Sequence, residues 1–311
     1  MYSPSHNLYL GPQAAMDSKD SKKYSAAERQ ILKNGIGIQK DTVATVTAYL
    51  QTAEQKITDA LAATPSDWQA WYLPQLQTTV RSALNEMATQ SIGTVNNAAG
   101  LAWQNGIDYI DKPLDAIGIN IVGLAPQIDV SRLMAMRSFM TDRIQNLSAE
   151  LINKINAQLG LVAIGAQSPT AAIDDIATLL EKGGRSRANT ILRTELGRIT
   201  EVAKQLRRES SVKAGVQMQK QWRRSGKIHS RISHDAADGQ TVDVDKPFLI
   251  GGVRLMYPRD PAAPASETVN CGCWTKTVVK GFVPRHPNKK PFSQLELNQS
   301  AQKRLVAEGL K

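Results

Sequence analysis

Residues 216–222 read Val216-Gln217-Met218-Gln219-Lys220-Gln221-Trp222, an apolar or long side chain alternating with glutamine. A period of two sends successive side chains to opposite faces of an extended chain, so this stretch reads as a strand, closed by the turn signal Ser225-Gly226. It marks a change of character, because upstream of it the apolar spacing is helical for about 180 residues. From Asp41, read as an N-cap, Val43, Val46, Leu50, Ala53, Ile57 and Leu61 form one stripe that Pro65 ends. Trp68 to Thr89 and Ser91 to Tyr109 each read as an amphipathic helix. Leu133, Met136, Met140, Ile144, Leu147, Leu151, Ile155 and Leu159 then keep near-heptad spacing, which calls for a partner helix in this chain or another. Ser168-Pro169 supplies an N-cap and a proline at the first helical position, Gly183-Gly184 ends that short helix, and a basic helix from about Arg185 to Arg208 follows.

Downstream of Trp222, Asp238-Gly239 and Gly251-Gly252 bracket Thr241 to Val244 and Pro247 to Ile250 as short strands, and Thr275 to Val279 reads as one more. Tyr257-Pro258-Arg259-Asp260-Pro261 is irregular, because each proline removes a donor and restricts its predecessor. The expected fold class is α+β, a mostly helical N-terminal domain followed by a small α+β module. The expected division is a flexible arm over 1–24, a helical domain over 25–184, an α+β domain with its basic helix over 185–283, and a basic, Pro-rich tail over 284–311 that ends in a short helix from Leu295 to Leu305.

Composition narrows the class. The 311 residues contain no apolar run approaching the ~20 needed to cross a bilayer, so a membrane partner is not expected. The N-terminus lacks the apolar core of a secretion signal. Cys271 and Cys273, the two cysteines, are one residue apart and cannot form the long-range staples of a secreted scaffold. The net charge of +10 is placed unevenly: residues 1–206 hold 19 basic and 19 acidic side chains, residues 207–311 hold 19 basic and 9 acidic. Between Lys182 and Arg231 there are 14 basic residues against Glu195, Glu201 and Glu209. Clustered cations of this kind gain free energy from phosphate backbones by releasing counterions, without reading sequence. The nucleic-acid-facing set is therefore expected to be Arg185, Arg187, Arg198, Lys204, Arg207, Arg208, Arg223 and Arg224, on non-specific double-stranded DNA. The plainer reading is a solvated helix face.

The last third of the chain carries an ordered series of short motifs: Arg193-Thr194-Glu195; Trp222; Arg231-Ile232-Ser233-His234 with Asp238-Gly239-Gln240; Pro247-Phe248 with Gly251-Gly252; Tyr257-Pro258; Asp260-Pro261; and Asn270-Cys271-Gly272-Cys273. In this order the region resembles the phage Mu F-like, or head-morphogenesis, family. It departs from the family pattern at Arg259, where glycine is usual, and at Gly272, where arginine is usual. The resemblance implies a minor head protein of few copies at the portal vertex, working in head assembly or DNA packaging and delivery. Its partners would be portal and capsid proteins and the packaged DNA, as an oligomer in the virion. Its place would be the capsid interior or portal vertex, and the host cytoplasm during assembly. It implies a structural component, not an enzyme, with Arg193 and Glu195 as a buried or domain-joining pair. The alternative is a nuclease or toxin-like transferase carried on a head-protein scaffold.

Two constellations bear on chemistry. Cys271, Cys273, His229 and His234 are a sufficient ligand set for zinc, although the one-residue gap is shorter than the two to four residues usual in structural sites, and a small buried hydrophobe is the plainer role for Cys271. No cofactor is otherwise expected. His234 beside Arg231 and Asp238 has the minimum equipment for metal-free RNA cleavage, but no nucleophile motif or phosphate loop accompanies it, and a satisfied structural histidine is the plainer reading. No catalytic residue is assigned.

Overall fold

The computed structural model describes residues 18–63, 72–121, 123, 125, 128–280, 283 and 289–309. Its helices are α1 (Ser18–Ala62), α2 (Leu73–Asp115), α3 (Ser131–Ala163), α4 (Pro169–Thr178), α5 (Arg185–Lys213), α6 (Ile232–Ala236), α7 (Ala265–Thr268), α8 (Gln294–Gln299) and α9 (Ala301–Ala307). The strands are β1 (Met218–Arg223), β2 (Thr241–Asp243), β3 (Phe248–Ile250), β4 (Val253–Leu255) and β5 (Trp274–Val279). A mostly helical N-terminal region followed by a small α+β module is thus the observed class.

Several boundaries differ from those read in the sequence. Asp41 lies inside α1, which starts at Ser18 and so takes in part of the expected arm; residues 1–17 lie outside the described part. The two helices expected between Trp68 and Tyr109 are one, α2, with residues 64–71 outside the described part. Gly183-Gly184 does not stop a helix: α4 passes into a π-helical turn, Leu179–Gly184, and on into α5. The cap at Ser168 is as expected, its hydroxyl accepting from Ala171 N at 3.2 Å with Pro169 next in line.

The chain divides into two compact units whose segments interleave. One is wholly helical and consists of Ile36–Leu101 and Val130–Leu196. Val46, Leu50, Ile57 and Leu61 of α1, Val80, Leu84 and Met87 of α2, and Met140, Ile144, Leu147, Leu151, Ile155 and Leu159 of α3 are buried in it. The α3 stripe, which called for a partner helix in this chain or another, is buried within its own unit. Polar ties fix the packing: Ser148 Oγ donates to the Leu84 carbonyl at 3.0 Å, and Arg185 pairs with Glu54 at 2.6 Å.

The other unit consists of Met1–Gly35, Ala102–Asp129 and Gly197–Lys311. β1 is the centre of its antiparallel sheet, in the order β2-β1-β5, with Gln219 opposite Asp243 on one side and Trp222 opposite Thr275 on the other. Along β1 Gln219 is exposed whereas Gln221 is buried and donates to Gly239 O. β3 and β4 form a hairpin across Gly251 and Gly252, whose φ values of 56° and 87° are those of a type I′ turn that glycine adopts without strain. Tyr109, Ile110, Val216, Met218 and Val279 make one apolar cluster. Trp222, Phe248, Ile250, Leu255, Cys271 and Cys273 make a second.

Charges are taken deep into this unit, each with a partner. Lys204 pairs with Glu201 at 2.7 Å and lies 4.0 Å from the Tyr109 ring centroid; Arg207 pairs with Asp111 at 2.6 Å; Arg208 donates to Thr275 and Thr277. The C-terminal segment is held the same way. Glu296, in a capping box with Ser293, meets Arg224 at 2.6 Å and Lys303 at 2.7 Å, and Lys303 lies 3.3 Å from Asp235. Residues 289–309 are thus docked, not a loose tail; residues 284–288 lie outside the described part.

Burial alone would raise the Glu296 carboxyl, but hydrogen bonds from Arg224 and Lys303 hold it well below its ordinary 4.5. Its stabilisation is therefore present above pH ~4.5 and is lost as pH falls through the folded value. Glu296→Gln, which leaves two buried cations short of counter-charge, should cost about 3–5 kcal/mol in urea unfolding at pH 7, and the cost should shrink progressively as pH falls below ~4.5 toward the folded value. Lys220 behaves oppositely: burial, and then Arg208, bring its amine down to about 7. The unfolded lysine holds its proton to higher pH, so the penalty for the buried ammonium is full below pH 7 and relieved as pH rises toward 10. Wild-type stability relative to Lys220→Met should accordingly grow by about 2–3 kcal/mol between pH 6 and 9.5, and a flat difference would contradict this.

Candidate metal centre

The second apolar cluster holds the group of side chains with the most pointed chemistry. Trp222 of β1 is its pivot: its indole N–H donates to the His234 carbonyl at 3.2 Å, and its ring meets His234 and Phe248 edge-on at 5.5 and 5.3 Å. His234, on α6, is thereby fixed with its ring inward and 1% exposed. Its Nε2 lies 2.8 Å from Glu267 Oε2, on α7. Its Nδ1 lies 3.4 Å from Cys271 Sγ and 3.7 Å from Cys273 Sγ.

Cys271 and Cys273 run directly into β5, and as i and i+2 residues both turn toward His234. The bend that brings them there is made by Asn270 at φ 57°, a conformation asparagine tolerates better than most residues. Two basic side chains hold the bend: Arg231 donates to Val269 O at 2.9 Å and Lys227 Nζ to Asn270 O at 2.8 Å. Gly272 has no room for a side chain, since a Cβ would come within 2.8 Å of Ser225 and Lys227. The arginine absent from 272 has a counterpart at 259. Arg259 takes a strained φ of 67°, and its guanidinium donates to Cys273 O at 3.4 Å over Gly197, where a Cβ would collide at 2.5 Å.

Both cysteines are free. The Cys273 thiol lowers Cys271 well below its ordinary value, helped by His234 and Arg259, whereas the bond to Cys271 and burial push Cys273 well up. Burial alone would lower His234, but hydrogen bonds to Cys271 and Glu267 carry it above its ordinary value. Without metal, these directions favour a proton on His234 over one on Cys271. The Nδ1, Sγ and Sγ atoms lie within 4.8 Å of one another, and His234, Cys271 and Cys273 can hold a metal ion. A tetrahedral ion with M–S about 2.3 Å and M–N about 2.0 Å spaces its ligands roughly 3.6 Å apart, close to the two observed S–N separations. With a metal bound, Glu267, 2.8 Å from Nε2, would accept the Nε2 proton and leave Nδ1 as the ligand atom.

His229, the fourth expected ligand, is exposed and outside this group. Asp238 is not the partner of His234: its carboxylate accepts Arg224 N at 2.8 Å and Lys290 N, and lies 3.4 Å from Arg223. The metal-free nuclease arrangement is therefore not formed. Arg231, Asn270 and Gly239 take part in the turns around the cluster, with Gly239 at φ 88°. Arg193 and Glu195 do not pair as expected: Arg193 is exposed and bonds Asn189, and Glu195 is buried 3.3 Å from Arg143. Glu267 was not selected from the sequence, because nothing in its local pattern distinguishes it, and Arg259 was noted there only as a departure from the family pattern.

The expected DNA-facing set is corrected most. Arg198, Lys204, Arg207, Arg208, Arg223 and Arg224 are buried, Arg198 donating to Arg259 O at 2.8 Å. Arg185 is half-buried against Glu54, and the exposed Arg187 pairs with Glu150 at 2.6 Å. Counting charge along a helix cannot reveal that its cations point into the protein.

No family model and no solved structure matches the chain. Over 98 residues it is 40% identical to the NAD(+)--arginine ADP-ribosyltransferase EFV of Enterococcus faecalis (strain ATCC 700802 / V583), a match covering 32% of this chain and 20% of that protein. Over 118 residues it is 34% identical to the uncharacterized protein YqbB of Bacillus subtilis (strain 168), covering 36% and 38% respectively. The chain thus spans 20% and 38% of the lengths of these relatives. The expectation that the chain is not an enzyme is overturned by the first match, to a protein named for a transferase.

If Glu267 orients His234 toward a metal, Glu267→Gln should weaken metal affinity about 10–100-fold in chelator competition while the fold survives. Unchanged affinity would remove Glu267 from the site.

Proposed function

We propose that the chain is a scaffold module of the phage head-morphogenesis type, built around a zinc ion on His234, Cys271 and Cys273, and of a kind that longer proteins join to an enzyme. The observation that carries the reading is convergence. Arg231, His234, Asn270, Cys271 and Cys273, all from the ordered motifs, meet around one site lined also by Lys227 and Ser225. Zinc suits the donors, since two thiolates and an imidazole are its preferred ligands and need no redox chemistry. The matches, which cover 20% of one protein and 38% of another, agree with a module that recurs in different settings. In this reading the chain sits in a virion near the portal vertex, beside portal and capsid proteins. Contact with DNA would require basic residues other than the buried ones.

A second reading is favoured by the 40% identity to the Enterococcus protein: the chain itself takes part in NAD-dependent ADP-ribosyl transfer to arginine. One experiment addresses both. The full chain, purified without chelator, is assayed for zinc, sought in purified phage particles, and incubated with labelled NAD+ and a small guanidine acceptor. The scaffold reading expects about one zinc per chain and co-sedimentation with particles. Absence from particles together with label transfer to the acceptor would put the transferase reading in its place.

A further inference from the structure

A tetrahedral ion takes four ligands, and among the described residues the cluster supplies three. The remaining side chains near it are engaged elsewhere. Glu267 is bonded to Nε2, on the opposite side of the imidazole from the sulfurs. Asp235 accepts from Ser230 at 2.7 Å and pairs with Lys303. His229 stands exposed at the rim of a cavity of about 190 Å³ that the three donors themselves line. That volume exceeds the ~30 Å³ share of one liquid water several-fold, and the wall is polar and cationic, with Ser225, Lys227 and Arg231. Lys227 and Arg231 are anchored to Asn270 O and Val269 O, the loop that carries the first cysteine.

Resting on the zinc reading above, we infer that the fourth position of the ion opens into this cavity and is taken by water or a small anion. Structural zinc sites are closed by four protein ligands, whereas sites that bind exogenous groups keep three and leave one position exchangeable. Two thiolates cancel the charge of the ion, so the lysine and arginine at the cavity wall set its preference, and that preference is for anions.

The test uses the full chain loaded with cobalt(II), whose visible absorption reports its ligands, titrated with azide. The expected result is a saturable spectral change that reverses on removing azide. His229→Ala should keep cobalt stoichiometry and spectrum, and Lys227→Ala with Arg231→Ala should weaken azide binding about three- to tenfold. A spectrum indifferent to azide overturns the inference, and a changed spectrum in His229→Ala names the residue that closes the site. Failure to take up either cobalt or zinc overturns the zinc reading itself, and the inference with it.

Discussion

A charge withdrawn from water must be met by an opposite charge or by several hydrogen bonds, and the sheet-bearing unit depends on that constraint throughout. Arg224 is the clearest case. At 2% exposure it is held by Glu296 and by the carbonyls of Lys290 and Pro291, so strand β1 and the C-terminal segment cannot separate without stranding a guanidinium. Arg207 and Arg208 do the same for α5, meeting Asp111 of α2 and the Thr275 and Thr277 hydroxyls of β5, while Lys204 pairs with Glu201 of its own helix under the Tyr109 ring of α2. Part of the basic excess of the last third, namely Arg207, Arg208, Lys220, Arg223, Arg224, Arg259 and Lys303, thus lies inside the fold.

The same rule governs the His234 cluster. Two thiols and an imidazole buried together have to share protons, and Glu267 decides on which ring nitrogen the histidine keeps its own. In the metal-free protein the Cys273 thiol and then the contact with His234 lower Cys271, that contact raises His234, and Arg259 adds to the first shift. A divalent ion goes further, neutralising both sulfurs at separations the apo geometry already has. The proposed scaffold role requires only this, whereas an open fourth position would add the capacity to bind.

What could be read in advance followed local rules. The alternation at residues 216–222 located β1, Ser168-Pro169 located the start of α4, and Gly251-Gly252 located the β3–β4 turn, because each depends on neighbours along the chain. Helix length was harder to read. Asp41 and Gly183-Gly184 carry stop or start signals worth about 1 kcal/mol, which packing in the helical unit overrides. The cysteines and His234 were visible as donors, but Glu267 pairs with His234 across 33 residues and Arg259 reaches Cys273 only through a strained backbone. Burial of the α5 cations was invisible for the same reason: the partners of Arg198, Arg207 and Arg208 named above lie 61 to 96 residues away with no shared local pattern.

These strands meet in the claim that a zinc ion is held by two sulfurs and one nitrogen at the foot of β5. The direct measurement is X-ray absorption at the zinc edge on full chain purified without chelator. The account predicts a first shell of two sulfurs near 2.3 Å with nitrogen or oxygen near 2.0 Å. A shell of nitrogen and oxygen alone, with no sulfur, would contradict it.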